Sequence, residues 1–169
     1  MKINQPEILQ IKTTRGSRRA YEFFSGDKIF GKMHYLNFFS QAAIAIINGQ
    51  TWKLQRRGLW KPYIELLHEN GKVPLTRLPF NWNYRLKYTG SNSDIYEFRQ
   101  VNCWKNSWIW FDDKKNPVVE FKSRIMSKSN RGIVLVHQKD IPDVEVMILL
   151  GWFMIKSYEM DSVAVAAVV

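Results

Sequence analysis

The sequence predicts a mainly β fold, a closed antiparallel barrel of about twelve strands around a hydrophobic C-terminal helix. Three observations carry this. Between Ile8 and Gln138, apolar and polar residues alternate in short runs, the period of a half-buried strand. Gly, Asn, Asp and Pro separate those runs at spacings of roughly ten residues, the cadence of a sandwich or barrel. Residues 146–155 (VMILLGWFMI) carry no charge, and a helix that is apolar all round must be enclosed by protein or lipid.

Taken in order, residues 8–12 (ILQIK) and 20–24 (AYEFF) make the first two strands, and Gly26-Asp27 turns the chain into 29–36 (IFGKMHYL). Residues 41–47 (QAAIAII) run into Asn48-Gly49, a pair that accepts the positive φ of a tight hairpin. Its partner strand is 51–55 (TWKLQ). Glu69-Asn70-Gly71 turns 63–68 (YIELLH) into 73–78 (VPLTRL), and 89–93 (TGSNS) joins 84–88 (YRLKY) to 95–101 (IYEFRQV). Residues 112–117 (DDKKNP) join 108–111 (WIWF) to 118–122 (VVEFK), and 133–136 (IVLV) ends the series.

Pro142, Asp143 and Glu145 suit the first turn of the helix, which is expected over about 142–160, with 161–169 as a tail, all within one domain, 1–169. Gly151 weakens a helix interior and is natural where something packs closely on it. Residues 143–158 would span ~24 Å as a helix and a seven-residue strand ~23 Å, so the helix fits along the barrel axis. The ten-residue uncharged run falls short of the roughly 20 residues of a membrane span. Residues 1–16 lack an apolar core for a secretory signal.

Of 169 residues, 46% are hydrophobic and 14% aromatic, which excludes a disordered chain. The net charge is +10. Residues 1–139 hold 24 Lys/Arg against 10 Asp/Glu, and residues 140–169 hold 1 against 5. Such a balance points to an anionic partner. The single cysteine, Cys103, excludes an intrachain disulfide framework and reads as a small buried hydrophobe. His34, His68 and His137 have no metal-ligand spacing, so no metal or cofactor is expected. No P-loop, dinucleotide fingerprint or nucleophile elbow occurs. Asp112-Asp113, followed by Lys114-Lys115-Asn116-Pro117, reads as a solvated hairpin loop. Trp52, Trp82, Trp104, Trp108 and Trp110 read as barrel wall. The chain is therefore expected to bind rather than catalyse.

Two basic clusters are the candidate ligand-binding residues. Lys12, Arg15, Arg18 and Arg19 lie in KTTRGSRR, and Arg56, Arg57 and Lys61 lie in RRGLWK with Trp60 among them. Arginine beside tryptophan suits a membrane interface or a stacked nucleic-acid base. No nucleic-acid motif is present in the sequence, so anionic lipid is the favoured partner.

Residues 132–161 (GIVLVHQKDIPDVEVMILLGWFMIKSYEMD) resemble the end of the tubby-like barrels, which include the phospholipid scramblases and LURP-one-related proteins. The likeness lies in a strand, an acidic turn, the pair Leu150-Gly151, the apolar 152–155 and the step Lys156-Ser157-Tyr158-Glu159. Residues 49–54 (GQTWKL), Gly58 and Tyr63-Ile64-Glu65 resemble LURP-one-type repeats. The resemblance covers 20–160 in rhythm, and the helix and 49–54 residue by residue. It implies a barrel of about twelve antiparallel strands around its helix, and a cytoplasmic protein at a membrane surface. Scramblases carry an Asp-x-Asp pattern associated with calcium before the last strand. Ser127 and Ser129 stand there in this chain, so calcium, which prefers carboxylates, is not expected. Two alternatives stay open: a small apolar-ligand barrel of the lipocalin kind and a nucleic-acid-binding basic domain.

Overall fold

A computed structural model describes residues 6–17, 19–36, 41–58, 60–68, 76–81, 83–102, 106–123 and 130–166. Its strands are β1 (Glu7–Thr13), β2 (Ala20–Ser25), β3 (Lys28–Tyr35), β4 (Ala42–Ile47), β5 (Gln50–Arg57) and β6 (Tyr63–His68). They continue with β7 (Thr76–Pro79), β8 (Leu86–Thr89), β9 (Ile95–Asn102), β10 (Ser107–Phe111), β11 (Pro117–Ser123) and β12 (Asn130–Val136), before one helix, α1 (Val144–Ala166). The 12 strands form one sheet in the order β7-β6-β5-β4-β3-β2-β1-β12-β11-β10-β9-β8. Every ladder is antiparallel, and β1 pairs with β12. Between β7 and β8 the bridge is Phe80 to Leu86. The sheet is thus a nearly closed up-and-down barrel, as the sequence predicts.

Local chemistry explains the elements. Asn48 and Gly49 both have positive φ, 46° and 78°, the backbone of a tight hairpin whose twist suits its strands. β8 starts two residues later than the alternation implies. Tyr84 sits at φ 54° and donates its N–H to the Asn81 carbonyl at 2.8 Å, so it belongs to a turn. The turn at Glu69-Asn70-Gly71 lies outside the described residues.

Inward positions alternate with outward ones: Leu9 and Ile11 on β1, Tyr21 and Phe23 on β2, Met33 and Tyr35 on β3, Trp108 and Trp110 on β10 are buried. The helix fills the space they enclose. Residues 147–157 of α1 are all buried, three turns with no face left to solvent. Trp110 donates its indole N–H to the Met147 carbonyl at 2.9 Å. Tyr35 stacks on Phe153 at 5.8 Å between centroids, and Tyr21 meets Trp152 edge-on at 5.5 Å. Contacts from β2, β3 and β10 thus surround one helix. Among the described residues no helix is long and apolar enough to cross a membrane.

α1 starts at Val144 and reaches Ala166, beyond the expected end at 160. Both of its ends are tied to the barrel. Near its start, Ser91 donates its N–H to the Asp143 carboxylate and Asn48 its amide to Glu145. At its far end Asp161 accepts from Arg56 Nη1 at 2.6 Å and from the Tyr84 hydroxyl.

Candidate anionic-ligand surface

Strand parity assigns every connection to an end. In an antiparallel meander the β1–β2, β3–β4, β5–β6, β7–β8, β9–β10 and β11–β12 connections share one end. The remaining connections, and the start of α1, occupy the other. Both predicted basic clusters therefore belong to one end, the end toward which α1 runs.

Within that end the predicted residues differ in availability. Arg15 is exposed, in a loop shaped by Gly16 at φ 81° and held by the Ser17 N–H to the Thr14 carbonyl at 3.0 Å. Arg19 is half-buried, and Arg18 lies outside the described residues. Lys12 belongs to β1 itself, with its ammonium 4.5 Å from the Phe24 ring centroid. In the second cluster Arg56 and Arg57 end β5. Arg56 is committed elsewhere: its side chain is 7% exposed and ion-paired with Asp161, over the Phe80 ring at 5.3 Å. Arg57 is half-exposed and 3.4 Å from Glu65. Lys61 is exposed, and Trp60 is 91% exposed. Gly58 sets this loop: at φ +81° a Cβ would lie 2.5 Å from the Lys61 carbonyl oxygen, so only glycine fits.

The charge of the two ends is opposite. Among the described residues, the connections at the basic end hold Arg15, Arg19, Lys61 and Arg85 and no Asp or Glu. Those at the other end, counting β12 to α1, hold six Asp and three Lys among the described residues. The acids that α1 brings toward the basic end are engaged, Glu159 with Lys156 and Asp161 with Arg56. Sequence reasoning found two of the six connections. The signal it lacked was strand parity, which turns a scattered excess of bases into a polar molecule.

The other candidate chemistry resolves into structure. His34 and His68 are exposed on strands, and His137 Nε2 lies 3.4 Å from Glu120. Among the described residues no group of three His, Cys, Asp or Glu could hold a metal. Cys103, Trp82, Trp104, Ser127 and Ser129 lie outside them. Asp112 caps its hairpin, accepting the Asn116 N–H at 2.7 Å and the Gln138 amide at 3.3 Å. Burial pushes its carboxyl up, but these hydrogen bonds together outweigh burial and hold it below the usual carboxylate range. Trp108 and Trp110 are fully buried and Trp52 partly so. A cavity of about 290 Å³ opens at the acidic end, with Leu9, Phe30, Val136 and Ile148 in its wall. At its rim Glu7 already accepts from Ser25 and lies 3.8 Å from Lys139.

The molecule is a helix-filled up-and-down barrel with one basic, aromatic-bearing end and one acidic end. No protein-family model matches the chain, and no curated protein or solved structure matches it significantly.

Proposed function

We propose that the chain is a binding protein, a barrel of the tubby-like, LURP-one-related kind whose basic end binds anionic phospholipid headgroups at a membrane surface. One observation carries the reading: among the described residues, the connections at that end hold four bases and no acid. Near an anionic bilayer each base is worth about 1 kcal/mol within a Debye length, which shrinks from about 10 Å at 0.1 M salt to about 3 Å at 1 M. Arg15, Arg57 and Lys61, exposed on the two predicted clusters, carry the binding; Lys12 and Arg56, packed on rings, contribute less.

Flotation with phosphatidylcholine vesicles, with and without phosphatidylserine, tests this. Binding is expected on the anionic vesicles alone, weakening steeply with salt. Reversing Arg15, Arg57 and Lys61 to Glu should abolish it, while reversing Lys28 and Lys139 at the acidic end should not. Binding that ignores salt, or survives the triple reversal, overturns the reading. The lipocalin-like alternative loses its ground because α1 occupies the interior that such a ligand would fill.

A further inference from the structure

We propose that the cavity at the acidic end is a second binding site, one that takes an amphipathic monocarboxylate with an apolar body of medium length. It is independent of the reading above, since it uses the opposite end of the barrel.

The cavity arises where α1 enters the barrel. β12, β1, β2 and β3 are neighbours in the sheet, and their acidic-end termini meet the first turn of α1 there. On β3 the ladder to β2 slips between Phe23 and Phe24, which pair with Gly31 and Ile29. Phe30 is thus the extra residue of a β-bulge. It packs against the core, its ring 6.1 Å from that of Phe23. Leu9, Val136 and Ile148 are buried and join Phe30 in an apolar wall around about 290 Å³ of space. An apolar cavity of about 150 Å³ admits benzene. Roughly twice that volume takes about ten carbon atoms at interior packing density. Because α1 fills the barrel axis, this is a pocket at the mouth and not the open interior of a lipocalin.

The mouth is charged, and its charges are unequally engaged. Glu7 accepts from the Ser25 hydroxyl at 3.1 Å, and Glu145 accepts from the Asn48 amide. Lys139 lies 3.8 Å from Glu7, a loose pair. Lys28 is exposed and has no carboxylate partner among the described residues. A cation entering the pocket finds both carboxylates engaged. An anion finds one ammonium unpaired and a second loosely held. Both lysines have stems long enough to bend over the mouth, and the first turn of α1 adds the positive end of its dipole. An apolar wall beneath a few polar groups that fix orientation is the usual make-up of a small-ligand site. The six Asp of the surrounding connections set the valence. They repel a nucleotide or another polyanion, whereas a single carboxylate is matched by the two lysines.

The test is calorimetric titration of the full chain with decanoate, decanol and decylamine. Decanoate should bind at a single site and shift the methyl resonances of Leu9, Val136 and Ile148. Decanol should bind more weakly, and decylamine more weakly still. Lys28→Met with Lys139→Met, at two exposed positions, should weaken decanoate at least about tenfold, equivalent to about 1.4 kcal/mol, and leave decanol unchanged. The site is overturned if decanoate does not bind, or if it binds without moving those methyls. It is equally overturned if the double variant binds decanoate within about twofold of the parent, or if decylamine binds as well as decanoate. None of these outcomes bears on vesicle flotation, which reads the basic end, so the two readings stand or fall separately.

Discussion

A Cβ at Gly151 would lie 2.6 Å from two carbons of the Phe121 ring and 3.0 Å from the Trp110 indole nitrogen. The missing side chain lets α1 lie against β10 and β11, where Trp110 donates to the Met147 carbonyl. Gly151→Val therefore forces the ring or the helix aside. Overpacking of this kind costs about 1–3 kcal/mol, more than the gain in helix propensity returns. The expected result is a lower urea midpoint at unchanged slope; an unchanged midpoint would mean that the contact is looser than these distances. That Gly151 needs a close neighbour was legible in the sequence, because glycine is a poor interior helix residue. Which neighbour was not legible, since Phe121 and Trp110 lie 30 and 41 positions away and only the closed sheet brings them together. Arg56 shows the converse. Among Arg57 and Lys61 it reads as one more surface base, yet its side chain is 7% exposed, because a partner 105 residues on takes its charge.

At the scale of the element, α1 was legible as a buried helix because its apolar residues leave no polar face. Its end was not, because Asp161-Ser162 imitates a terminus. In the structure the Asp161 carboxylate pins the last turns to Arg56 and Tyr84, and Ser162 bonds back to the Tyr158 carbonyl at 2.8 Å instead of breaking the helix. Two predictions belong here. Leu150, fully buried, cannot become Asp without placing an unpaired carboxylate in an apolar interior. That costs several kcal/mol against a whole-domain stability of about 5–15 kcal/mol, so Leu150→Asp should lose the cooperative thermal transition. A parent-like melting temperature would show that the helix is not central to the fold. Asp161→Asn leaves Arg56 buried and short of a charged partner, at a cost of about 1–3 kcal/mol. Combined with Arg56→Met it should cost less than the two single changes added, as coupling between contacting residues requires. Strict additivity would mean that Arg56 and Asp161 do not act as a pair.

At the scale of the whole molecule, the period-two runs made the barrel legible, and strand order supplied the charge polarity that the sequence hid. The same architecture sets how stability depends on pH. On the acid side, the hydrogen bond from Lys115 holds Glu97 low, and the hydrogen bonds around Asp112 outweigh its burial and lower it too. A carboxylate lowered by folding contributes stability above its unfolded pKa of about 4, lost as pH falls through the lower folded value. Both groups serve the β9–β10–β11 hairpins, so acid should loosen that side first.

On the alkaline side, three tyrosines near the helix are raised. Burial comes first for each, followed by the Tyr21 hydroxyl for Tyr35, Asp161 for Tyr84 and Asp143 for Tyr88. Tyr84 and Tyr88 meet acids at the two ends of α1, and Tyr35 stacks on Phe153 between them. A group raised by folding contributes stability that is fully present below its unfolded pKa, about 10 for tyrosine. That stability is lost as pH climbs from there through the raised folded value. The melting temperature should therefore hold steady between about pH 5 and 9, and fall above pH 10 as the unfolded chain gives up tyrosine protons that the barrel retains. Absorbance near 295 nm reads phenolate directly. In the folded protein Tyr35, Tyr84 and Tyr88 should ionise only together with the loss of near-ultraviolet dichroism. If these three ionised with the dichroism intact, the helix would not be sealed in the barrel as the aromatic contacts require.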